Sequence, residues 1–72
     1  MPDLYGFAKE LSTKIESAKS MRDVEHILYG IESLRISKAE KVFVLDVVIQ
    51  NCDNKKYIEL IRYIKERIRK GK

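Results

Sequence analysis

Val42-Phe43-Val44-Leu45-Asp46-Val47-Val48-Ile49 is the stretch on which the fold turns. It is rich in residues that favour strands. A lone strand among helices would have no pairing partner, and no other segment of the chain reads as one. Just upstream, Ser37-Lys38-Ala39-Glu40 form a capping box, a signal for the start of a helix. The stretch is therefore expected to be helical, within a helix from about Lys38 to Cys52.

Three further segments repeat their apolar residues at steps of three and four. Leu4, Phe7, Ala8, Leu11, Ile15 and Ala18 make one stripe over about 3–18, with Asp3 suited to the N-cap. Val24, Ile27, Leu28, Ile31 and Leu34 make a second over about 21–34. Ser20 and Asp23 have the spacing of a capping box, with Asp in place of Glu or Gln. Gly30 falls opposite that apolar face. The stripe could run on from Ala18 through Met21 into Val24, but Ser17, Ser20 and the cap signal argue for a break. Tyr57, Leu60, Ile61, Ile64 and Ile68 form the buried face of a fourth helix over about 55–69, capped by Asp53 or Asn54. On its outside, Lys55–Glu59 and Arg62–Glu66 are spaced i,i+4. Short links favour antiparallel neighbours. The expectation is an all-α, compact four-helix up-down bundle made of a single domain, 1–72.

At 72 residues, with 44% of them hydrophobic and 36% charged, the chain is folded but its core is small. A chain of this size buries only about 60% of the surface that it exposes when unfolded. No apolar run is long enough for a membrane span. Met1-Pro2-Asp3 lacks the features of a secretion signal. The single cysteine, Cys52, precludes an internal disulfide. A cytoplasmic protein is expected. Abundant Lys, Glu and Ile with a single Gln suggest a thermophilic source. The net charge of +4 is uneven, with −1 in residues 1–36 and +5 in residues 37–72.

Few residues suggest catalysis. His26 is the only histidine, and Asp23 lies one turn before it. Two ligands do not make a structural zinc site. Arg22, His26, Tyr29 and Ser33 read more simply as a solvated helix face. Cys52 aligns with Leu45 and Ile49 and reads as a small buried hydrophobe. Asp46 interrupts the most apolar segment, yet it lies near Gln50 and Asp53 on a side that can stay wet. The chain shows no nucleophile–base pair, phosphate loop or metal cluster, so no enzyme, metal or cofactor is expected.

Two binding features remain. On the third helix Val42, Leu45, Val48, Ile49 and Cys52 already form a core face. Phe43 and Val47 fall about 120° or more from its centre, and Val44 lies on the far side as well. A helix that is apolar nearly all round is central or is covered by a partner. Phe43, Val44 and Val47 are thus expected to meet a protein partner or a second copy of the chain. The alternative is nucleic-acid binding through Lys55, Lys56, Arg62, Lys65, Arg67, Arg69, Lys70 and Lys72. Cations at a helix C-terminus also favour the macrodipole, which is the plainer reason for them. A helix-turn-helix across Leu34-Arg35-Ile36-Ser37 is rejected. The helix after that turn is apolar at its middle, whereas a base-reading helix needs donors and acceptors.

Overall fold

The computed structural model describes residues 3–71. Four helices follow one another: α1 (Leu4–Glu16), α2 (Met21–Glu32), α3 (Lys38–Gln50) and α4 (Lys55–Lys70). They form an all-α four-helix bundle, with no strand among the described residues. The radius of gyration, 11.1 Å, matches the roughly 11 Å expected of a compact chain of this length. No helix among the described residues is long and apolar enough to cross a membrane.

Each helix begins on a side-chain cap. The Asp3 carboxylate accepts from the Gly6 N–H, and Asn54, rather than Asp53, caps α4 by accepting from Lys56 and Tyr57. Ser37 and Glu40 make the full reciprocal box: Ser37 Oγ accepts from the Glu40 N–H, and Glu40 Oε1 accepts from the Ser37 N–H. These bonds favour the charged carboxylate and lower the Glu40 pKa. At α2 the Ser20 hydroxyl accepts from Asp23 as expected, but the return bond goes one residue further out, from the Lys19 N–H to Asp23 Oδ2. Ala18 is outside both helices, so the chain breaks after Glu16 and does not continue as one long helix.

The order of packing differs from the order in sequence. α3 packs most extensively, against both α1 and α4, and α2 completes the bundle against α4 and α1. Contacts from Lys38 to Gly71 and from Asp46 to Lys65 show that α3 and α4 run antiparallel. The core comprises Ala8, Leu11 and Ile15 of α1, and Val24, Leu28 and Ile31 of α2. It continues with Val44, Leu45, Val47 and Val48 of α3, Cys52, and Ile61 and Ile64 of α4. Ser12 is buried among them, and its hydroxyl donates to the Ala8 carbonyl. Leu4, Phe7, Ala18, Ile27, Tyr57, Leu60 and Ile68, at the ends and edges of the expected stripes, are half-buried.

This packing corrects the expected face of α3. Val44 is fully buried and Val47 is 5% exposed, whereas Val42 and Ile49 are only half-buried. At 100° per residue, Val44, Leu45, Val47 and Val48 span an arc of about 160° centred between Val44 and Val48. Cys52, beyond the end of the helix at Gln50, joins the core from the following link. The buried face is turned toward Val44 and Val47 because α1 and α4 cover two sides of the helix. Val44 and Val47 are therefore intramolecular core and cannot form a surface patch with Phe43. Only Phe43, 44% exposed, remains on the outside.

Replacing Val47 with Ser removes buried methyl groups and adds a hydroxyl to an apolar site, at an expected cost of about 2–4 kcal/mol. Phe43→Ser is expected to cost less than about 1 kcal/mol, in the range of surface substitutions. Denaturant melts of the two single variants measure both. Equal losses would contradict the orientation of α3 given above.

Candidate functional site

The charged residues of α4 fall into two groups. Three of its expected phosphate-binding residues have carboxylate partners. Lys65 Nζ lies 2.5 Å from Asp46 Oδ1, Arg67 pairs with Glu32, and Arg69 Nη1 lies 3.1 Å from Glu66 Oε2. Lys55, Lys56, Arg62 and Lys70 are exposed and make no ion pair with the described residues. Lys72 lies outside the described residues. Glu66 pairs with Arg69 one turn onward and not with Arg62. Asp46, an anomaly in an apolar stretch, is explained by its contact with Lys65 on the α3–α4 side.

Arg67 joins α4 to α2. Its Nε donates to Glu32 Oε2 at 3.1 Å and its Nη2 to Glu32 Oε1 at 2.5 Å. The guanidinium carbon lies 5.5 Å from the centroid of the Tyr29 ring and 5.6 Å from that of Tyr63. The hydrogen bonds to Glu32 push the Arg67 pKa above the usual arginine value. A planar fork between two rings and a carboxylate is a geometry that suits arginine and not lysine.

Two lysines of the first turn of α3 bind the C-terminal ends of other helices. Lys41 Nζ donates to the Glu32 carbonyl at 2.5 Å, and Lys38 Nζ donates to the Gly71 carbonyl. Helix C-termini carry carbonyls without intrahelical donors, and cations there are favourable. Neither ammonium pairs with a carboxylate of the described residues.

Two open clefts meet at this corner. One, of about 410 Å³, lies between the first turns of α1 and the α2–α3 link. Leu4, Phe7, Leu34 and Ile36 provide its apolar lining, with Asp3 and Glu10 among its polar residues. The second is lined by Glu32, Lys38, Lys41 and Arg67 together with Ile36 and Ile68. Ile36 borders both. The sequence pattern pointed to neither cleft. A signal was present, however: Ile36 is a large apolar residue in a five-residue link that has no helical face on which to pack.

The other candidates follow their plainer readings. Arg22, His26 and Tyr29 are exposed on α2, and Ser33 is exposed at its C-cap. Cys52 is buried, and its thiol lies 3.7 Å from the Asn54 carbonyl. No group of three or more His, Cys, Asp or Glu among the described residues could hold a metal ion.

Loss of the fork should weaken the contact between α2 and α4. Arg67→Ala is expected to lower the melting temperature by a few degrees. Arg67→Lys should restore little of that loss, because a point charge cannot reproduce the paired hydrogen bonds. Thermal melts of both variants, with and without Glu32→Gln, measure the coupling. Full rescue by lysine would show that charge alone matters.

Compared with known proteins, the chain matches no family model, no curated protein and no solved structure.

Proposed function

We propose that the chain is a non-enzymatic interaction module, an accessory subunit that binds a protein partner in the apolar cleft. The observation that carries this reading is the cleft itself. Leu4 and Phe7 from α1, with Leu34 and Ile36 from the link, present apolar surface in an open concavity. Concave apolar sites with a few polar groups at the edge are the usual form of binding sites. Phe43 supplies a separate exposed apolar side chain that a second copy of the chain could cover. A small core supports the same reading, because a bound partner adds stability that a short chain lacks. The single buried thiol and the Lys- and Glu-rich composition suit a cytoplasmic protein from a thermophile.

Affinity capture from extract of the native host tests the reading. The wild-type chain should retain a protein partner in a fixed ratio. Leu34→Ser combined with Ile36→Ser should lose that partner while keeping a helical spectrum, because neither residue belongs to the buried core. Retention of the same proteins by both chains, or of none by the wild type, would count against the cleft.

A second reading, nucleic-acid binding through α4, rests on the unpaired Lys55, Lys56, Arg62 and Lys70. Contacts of this kind bind phosphates with little sequence preference and weaken steeply with salt. Anisotropy titrations should then show micromolar binding of an oligonucleotide in about 50 mM salt and near-complete loss in about 200 mM. Absence of binding at the lower salt would rule the reading out.

A further inference from the structure

We infer that the segment bound in the apolar cleft is acidic: apolar anchors flanked on one side by Asp or Glu residues that lie over Lys38, Lys41 and Arg67. The inference rests on the reading of the chain as a partner-binding module and specifies the chemistry of the partner. Three observations support it, namely the adjacency of the two clefts, the charge of the second and the state of its lysines.

Ile36 lines both clefts, so the apolar and basic surfaces adjoin at this side chain. A peptide anchored on Phe7, Leu34 and Ile36 advances about 3.3 Å per residue if it is extended. Residues a few positions from the anchors therefore reach the basic cleft. That cleft brings three cations, Lys38, Lys41 and Arg67, against a single carboxylate, Glu32. Glu32 is already engaged by the Arg67 fork. Each lysine ammonium has three donors and gives one to a backbone carbonyl, which is neutral. The helix ends hold these charges in place and compensate them only in part. Neither lysine meets a carboxylate of the described residues, and donors remain for incoming carboxylates. Asp3 and Glu10 are among the residues of the apolar cleft, so the charge changes from acidic to basic between the two adjoining clefts. This polarity fixes the direction of the bound segment, with its acidic side toward α3. Complementary charge of this kind sets register and encounter rate more than affinity.

A random peptide library displayed on phage and selected against the immobilised full-length chain tests the inference through composition. The expected outcome is enrichment of peptides that combine two or more large apolar residues with neighbouring Asp or Glu. A synthetic peptide of the enriched sequence is then titrated by anisotropy. Lys38→Glu with Lys41→Glu should weaken it at least tenfold. Lys38→Gln with Lys41→Gln removes the charge but keeps an amide donor for the helix ends, and it should give a smaller loss in the same direction. Lys55→Glu with Lys56→Glu is the control with the same change in net charge. Those residues start α4, about 20 Å along the helix from the basic cleft and beyond the screening length of about 8 Å at physiological salt. The control should stay within threefold of the wild type.

The outcomes separate this inference from the reading on which it rests. Enriched peptides without acidic bias, lost with Ile36→Ser but unaffected by charge reversal, would overturn the acidic partner and leave the module. Failure of any peptide to enrich would count against both. Equal losses in the cleft variant and the α4 control would reduce the effect to net charge and overturn the assignment. A single-stranded oligonucleotide that binds through Lys38 and Lys41 while no peptide competes would overturn it in favour of a phosphate site.

Discussion

Burial of one side of α3 between α1 and α4 is the constraint on which the other features depend. Val44, Leu45, Val47 and Val48 lie on the two covered sides, so the helix has a single orientation. That orientation directs Phe43 outward. It brings Asp46 to the edge of α4, where Lys65 meets it. It also places the first turn of α3 against the C-terminal ends of α2 and α4. Rotation of the helix by one side would bury Phe43 and expose two valines, and it would separate Lys38 and Lys41 from the carbonyls they cap.

The fold was legible in the sequence because it depends on signals that are local. Helix starts are written in single residues, Asp3, Ser20, Ser37 and Asn54, and each of these side chains accepts a backbone N–H. Amphipathic stripes gave the inner faces of α1, α2 and α4, since apolar residues there alternate with charged ones. α3 differs in kind. Its apolar residues surround most of the helix, so the pattern has no phase, and only the neighbouring helices select which residues are buried. Val44 and Val47 were misplaced for that reason. The same property that identified α3 as unusual removed the information needed to orient it.

The charged residues were legible in number but not in partnership. Ten of the fifteen Lys and Arg residues lie in the second half of the chain, which drew attention to α4 as a phosphate-binding surface. Partnership depends on contacts distant in sequence. Arg67 meets Glu32 across 35 positions, and Lys38 meets Gly71 across 33. Ion pairs engage three of the cations of α4, while two of the ten, Lys38 and Lys41, lie on α3 and line a cleft. In that half, cations without a carboxylate partner among the described residues thus lie both along α4, at Lys55, Lys56, Arg62 and Lys70, and in the cleft beside the first turn of α3, at Lys38 and Lys41.

The corner where the two clefts meet explains why a short chain would leave apolar surface open. The link from Ser33 to Ser37 must connect two helices that are not principal packing partners. Leu34 and Ile36 within it are half-buried because no fifth helix lies above them. Replacing them with polar residues would cost little of the intramolecular core, which does not include them. The part of their apolar surface that the bundle leaves open is consistent with a surface that is covered by another molecule. The lysines beside them follow the same argument. A helix end offers a partial negative charge to each of Lys38 and Lys41, but the only carboxylate among the described residues lining the site is already engaged by Arg67. Half-buried apolar side chains and ammonium groups that are only partly compensated by helix ends, adjoining at Ile36, are what an acidic, apolar segment would complete.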